Sequence, residues 1–155
     1  MRLSELLNEQ SIGLTLQARD KESSIKELVQ LLESAHGVNT RGEILSKVLQ
    51  RESMMSTGIG NGIAIPHGKL PEIKELFGLF ARLDEPVDFD AIDEQPVDLV
   101  FLLLAPEGAG ADHLKALARV SRLLRDKSVC EKLRGADQTD AIYALLTDTA
   151  KSHAA

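Results

Sequence analysis

The segment Arg51 to Lys69, RESMMSTGIGNGIAIPHGK, concentrates the residue types that could do chemistry. It places four glycines (Gly58, Gly60, Gly62 and Gly68) within eleven residues, with Pro66 and then His67 near its end. A neutral imidazole is a nucleophile near physiological pH, because its ordinary pKa is about 6.5. One ring nitrogen attacks while the other carries the proton and needs an acceptor to fix the tautomer. Pro66 fixes its own φ and restricts Ile65, so the backbone entering His67 is stiff. Gly68 would let the chain turn sharply or approach a partner closely. Ser56, Thr57 and the glycine N–H groups are unhindered donors of the kind that bind oxyanions. A rigid imidazole beside such donors suits a phosphoryl acceptor, since phosphoryl transfer asks mainly for in-line positioning and charge stabilisation. The plain alternative is a glycine-rich hairpin entering a strand, with His67 incidental at its end.

The glycine run is not a nucleotide loop. No G-x-x-x-x-G-K-[ST] is present, and the G-x-G-x-G spacing is not followed by a helix. His113 follows the loop PEGAGAD at the predicted start of a helix, a position that disfavours the imidazolium and attracts anions. There it would either meet His67 and donate to a phosphoryl group or stand exposed in the first helical turn. Arg51 could bind phosphate bidentately, or be an ordinary helix-end arginine. A metal is the rival use of the two histidines, but no H-x-x-x-H or H-E-x-x-H spacing links them, so neither metal nor cofactor is predicted. His36 precedes Gly37 at a helix end and reads as structural. His153 falls in the tail.

These groups need elements to hold them. Leu3, Leu6 and Leu7 mark a short first helix, and alternation predicts a strand over 12–16. Asp20 caps a helix carrying Ile25, Leu28, Val29 and Leu32 that ends at Gly37. Thr40 and Glu43 form a capping-box pattern opening a helix with Ile44, Leu45, Val48 and Leu49. Strands are predicted over 63–66, 76–83 and Val97 to Leu104. Helical spacing returns at Leu114, Leu117 and Ala118 and again at Leu124. A last helix holds Ile142, Leu145 and Leu146, with Asp137 as its cap. This interleaving predicts a single α/β domain: a mixed four- to five-stranded sheet with helices packed on both faces, covering 1–148, and a polar tail over 149–155.

Hydrophobic residues are 43% and aromatics only 3%, so the core must be aliphatic and a base-stacking nucleic-acid surface is disfavoured. A net charge of −6 argues against binding DNA or anionic lipid. Cys130 is the only cysteine, which excludes an internal disulfide and a cysteine zinc cluster and suits a reducing cytoplasm. No stretch approaches the roughly 18 apolar residues of a membrane span.

With its opening LSELL, its RE-x-x-x-STGIGNGIAIPHGK core, FDAIDEQPVDLVFLLLAP and HLKALARVSRLLRD, the chain resembles the fructose/mannitol-type enzyme IIA family of the bacterial phosphotransferase system, in its nitrogen-regulatory branch. The resemblance implies an α/β sandwich and a phosphohistidine mechanism. His67 would accept a phosphoryl group through Nε2 from an HPr-like or NPr-like carrier, without cofactor. His113 would hydrogen-bond that group, Arg51 would stabilise its charge, and Ser56, Thr57 and Gly68 would contribute to binding it. No IIB-like, HPr-like or membrane domain accompanies the motif, which favours a cytoplasmic regulator docking on target proteins. A sugar-transport IIA component passing phosphate to a IIB cysteine, and a binding module with structural histidines, are the competing expectations.

Overall fold

In a computed structural model, residues 2–38 and 42–147 are described. After a single 3₁₀ turn at Leu3–Glu5 come strand β1 (Ile12–Leu16), helices α1 (Lys21–His36) and α2 (Glu43–Met54), and the short strands β2 (Gly58–Gly60), β3 (Ile63–Ala64) and β4 (His67–Leu70). Two long strands follow, β5 (Phe77–Val87) and β6 (Val97–Pro106), then helices α3 (Ala111–Leu124), α4 (Lys127–Gly135) and α5 (Thr139–Thr147).

The six strands form one mixed sheet in the order β1–β5–β6–β3–β2, with β4 also on β6. Pairing is antiparallel for β5 with β6 and for β2 with β3, and parallel elsewhere. The sheet therefore has one or two strands more than expected. The glycine-rich segment supplies the difference. Asn61 and Gly62 both have positive φ (57° and 80°), which is hairpin-turn backbone and lets β2 fold back on β3. The predicted strand over 63–66 is broken at Ile65–Pro66, and β4 resumes after the break.

Strand alternation divides the core into two layers. Leu79, Ala81, Val100, Leu102 and Leu104 pack with Ile25, Leu28 and Leu32 of α1 and Ile44 and Val48 of α2. Phe80, Leu99, Phe101 and Leu103 face the other way, against Val120 and Leu123 of α3, Leu133 of α4 and Ile142 and Leu146 of α5. Each such large side chain taken from water is worth about 1.5–3 kcal/mol, so the central pair β5–β6 anchors both layers.

The helix ends follow local rules. The Asp20 carboxylate accepts from the Ser23 N–H, and Gly37 closes α1 with φ of 66°. His36 at that end is structural: Nε2–H donates to the Gly78 carbonyl at 2.9 Å, and the ring packs on Phe77. Thr40 lies outside the described residues, as do the 149–155 tail and His153. Helix α2 begins at Glu43 with Gly42 at its cap and no side-chain cap bond. Helix α5 starts two residues beyond Asp137.

Helix α3 is where expectation predicted, but its apolar spacing misleads. Leu114 is 67% exposed and Ala118 is exposed, while His113, Ala116, Val120 and Leu123 are buried. Helix α4 was not anticipated, because charge dilutes its few apolar positions; Asp126 caps it through the Ser128 and Val129 N–H groups.

Candidate functional site

His67 opens β4, directly after the strand break, and is half-buried. Its Nδ1 lies 2.9 Å from the Ile65 carbonyl. A carbonyl only accepts, so Nδ1 carries the proton and Nε2 holds the lone pair in the neutral ring. Burial lowers the pKa of His67. The Ile65 bond opposes this by favouring the charged form, Arg51 lowers it further, Glu52 raises it and Lys69 lowers it. The net direction keeps the ring neutral and nucleophilic.

His113 sits in the first turn of α3 and is buried, with 4% exposure. The two rings lie 5.6 Å apart between centroids. Burial, then the neighbouring His67 and Lys69, push the His113 pKa down to about 4, so this ring is neutral as well. Its Nδ1 is buried with no hydrogen-bond partner among the described residues.

Between α2 and α3 lies a cleft of about 410 Å³ with His67 and His113 in its wall. Among the described residues, Lys47, Arg51 and Lys69 line it and no carboxylate does, while Met54, Leu114 and Leu117 add apolar surface. In a chain of net charge −6, this is a locally cationic spot. Arg51 donates Nη1–H to the Met55 carbonyl at 3.0 Å, which ties its guanidinium to the end of its own helix.

Sequence and structure part company over the small donors. Gly68 also lines the cleft, but it lies within β4, opposite Leu104, and makes no turn. Ser56 and Thr57 do not line the cleft. The Ser56 hydroxyl donates to the Phe89 carbonyl, and the Thr57 hydroxyl donates to Glu52. Gly58 has a packing role: a Cβ there would lie 2.8 Å from that of Ala91. Thus His67, His113, Arg51 and Gly68 come together, while Ser56 and Thr57 are spent on holding the hairpin.

Lys47 and Glu52 were not singled out from the sequence. For Glu52 a signal exists: Ile44, Val48 and Glu52 recur every four residues, so an acid stands on the buried face of α2. Among the described residues, no group of three or more His, Cys, Asp or Glu could hold a metal, and no helix is long and apolar enough to cross a membrane.

Comparison with known proteins finds similarity along nearly the whole chain. Residues 5–149 match the family described as "Phosphoenolpyruvate-dependent sugar phosphotransferase system, EIIA 2". A "Nitrogen regulatory protein" of Bradyrhizobium diazoefficiens is 51% identical over 146 residues, covering 94% of this chain and 95% of the relative. A fructose-specific EIIABC component of Bacillus subtilis is 40% identical over 94% of this chain, which spans 23% of that longer protein. The crystal structure of nitrogen regulatory protein IIA-Ntr from Neisseria meningitidis superposes with a TM-score of 0.87 at 35% identity, covering 94% of this chain and 99% of that one.

Proposed function

The chain belongs to the phosphoenolpyruvate-dependent sugar phosphotransferase system EIIA 2 family, and on that premise we propose that it is a cytoplasmic, phosphoryl-accepting regulatory protein of the nitrogen branch, charged on His67 by an HPr-like or NPr-like phosphocarrier. The observation that carries this role is the His67 ring itself. Its proton is fixed on Nδ1 by the Ile65 carbonyl, so its nucleophilic Nε2 is set beside His113 and a cationic cleft.

The step balances without a cofactor. The Nε2 lone pair of His67 forms the new N–P bond, and the carrier's N–P bond breaks with its electron pair returning to the carrier's imidazole. No proton has to move. The His67 ring becomes cationic, and the Nδ1–H bond to Ile65 strengthens as a charge-assisted one. Arg51 and the neutral His113 offer donors to the phosphoryl oxygens, the electrostatic part of the work. Exposed Met54 and Leu114 (76% and 67%) beside the cleft suit a protein donor better than a small molecule. The phosphoryl oxygens bring about two negative charges against the one positive charge the ring gains, a net change of about −1 that would offset part of the cleft's cationic character and so change which regulatory targets dock there.

Incubation with purified phosphorylated carrier tests this. One acid-labile, base-stable phosphoryl group per chain is expected, and none on His67→Ala. An undiminished adduct on His67→Ala would remove His67 as the acceptor. The 40% identity to a fructose-specific component keeps a second role in view, a sugar IIA handing phosphate to a IIB cysteine. Rapid onward transfer to a fructose-type IIB protein would establish that role instead.

A further inference from the structure

Glu52 is the only buried acidic side chain among the described residues, at 5% exposure. Desolvating a carboxylate costs several kcal/mol, and a buried ion pair is a poor source of net stability. This one is nonetheless fully engaged. Lys21 Nζ lies 2.8 Å from Oε2, Thr57 N–H donates to Oε2 at 2.9 Å, and the Thr57 hydroxyl donates to Oε1 at 2.5 Å.

What the clamp holds leads to the cleft by two routes. The Thr57 carbonyl accepts from the Ile65 N–H at 3.0 Å, and the Ile65 carbonyl accepts from His67 Nδ1–H at 2.9 Å. Met55, two residues before Thr57, gives its carbonyl to Arg51 Nη1 at 3.0 Å. A carboxylate suits this position because its two oxygens can take both donors of one residue and still pair with a cation.

We propose that Glu52 is a positioning residue of the His67 site: by clamping Thr57 it holds the acceptor ring through Ile65 and the Arg51 guanidinium through Met55. This rests on His67 being the phosphoryl acceptor, and it assigns Glu52 no contact with the phosphoryl group.

Two substitutions separate positioning from mere stability. Glu52→Gln keeps the clamp's shape, since its amide oxygen can accept the Thr57 N–H and its amide can donate to the Thr57 hydroxyl. Glu52→Ala removes the clamp. In folded protein, Glu52→Ala should lower the maximal rate of phosphoryl uptake from carrier at least about tenfold, within the ~10²-fold that a 1 Å misplacement costs. The carrier concentration for half-maximal rate should not change, and Glu52→Gln should restore most of the rate.

The ¹⁵N shifts of His67 supply a readout that needs no carrier: one Nδ1–H tautomer in the native protein and in Glu52→Gln, a tautomer mixture in Glu52→Ala. Should Glu52→Ala not fold, Thr57→Val, which deletes the hydroxyl donor, should move both readouts in the same direction. A native rate and a single tautomer in the clamp-deleted variant would overturn the proposal, as would Glu52→Gln proving as slow as Glu52→Ala. A native protein that takes up no phosphoryl group would remove the acceptor role, and the tautomer measurement would still decide whether Glu52 holds the ring.

Discussion

The depressed pKa of His113 makes a stability prediction that can be worked through. The ring titrates at 6.5 when unfolded and at about 4 when native, because burial and the neighbouring His67 and Lys69 disfavour its charge. Between those values the unfolded chain binds a proton that the native state refuses. Stability therefore rises with pH across this window: the contribution is fully present above pH 6.5 and is lost as pH falls toward 4. A separation of about 2.5 units corresponds to roughly 3 kcal/mol in the acid limit, and to about 2 kcal/mol at pH 5.

The assay is urea unfolding of the native chain and of His113→Gln at a series of pH values. His67 also has a lowered pKa and adds a slope of the same sign, but it is present in both proteins and largely cancels in their difference. The native protein's advantage over the variant should shrink by about 2 kcal/mol between pH 7.5 and 5. A difference that stays flat over that range would show that His113 is not held neutral, and would remove the neutral-donor role assigned to it.

Two further substitutions probe the turn and the cleft rim separately. Gly62→Ala imposes a side chain at φ of 80° and sets its Cβ 2.6 Å from Arg134 Nη2 and 2.8 Å from Asp98 Oδ1, within a bidentate pair. It should cost about 2 kcal/mol by urea unfolding, from left-handed strain and a weakened surface pair, with phosphoryl uptake unchanged in the folded fraction. Leu114→Asp should leave stability within about 0.5 kcal/mol, because the side chain is exposed. It should raise the carrier concentration for half-maximal transfer by about tenfold, the cost of an interfacial leucine. An unchanged value would place carrier docking elsewhere.

Local chemistry was legible and its allocation was not. Asp20 and Gly37 bound α1 as sequence rules require, because a cap is decided by its own few residues. The nearly continuous apolar run over 76–83 announced a strand covered on both faces, and its residues do divide between the two core layers, Leu79 and Leu83 in one and Phe80 in the other. The resemblance paired His67 with His113, whereas local chemistry alone left His113 equally able to stand exposed in the first helical turn; its burial beside His67 decides between the two. Periodicity, however, does not say which partner an apolar stripe faces. Leu114, Leu117 and Ala118 have helical spacing, yet Leu114 and Leu117 line the cleft. The hydroxyls of Ser56 and Thr57 were counted as ligand donors because a sequence does not show that Phe89 and Glu52, distant or on another element, already claim them. The Glu52 clamp depends on Lys21, thirty-one positions away, and no local pattern announces such a pair.

The strand break explains why the site stands where it does. Ile63 pairs with Leu99 before the break and His67 with Leu103 after it, so the register is the same on both sides. Pro66 has no N–H to give the ladder, and within that gap the Ile65 N–H turns to Thr57 while its carbonyl takes the His67 ring. A slip of one residue would have sent His67 to the opposite face. With the register kept, His67 shares the face of Leu103, the layer of α3 and His113. Its neighbour Gly68 faces α2, where an added Cβ would lie 3.4 Å from Val48. Helices α2 and α3 cover opposite faces of the sheet, so only a strand paired on one side alone lets both reach a single residue. Among the described residues β4 pairs with β6 alone, and the cleft, lined from both layers, forms along that edge. The site thus stands at a sheet edge, where the Ile65 carbonyl, facing away from β6, fixes the tautomer of the His67 ring, and the cleft draws its lining from both core layers.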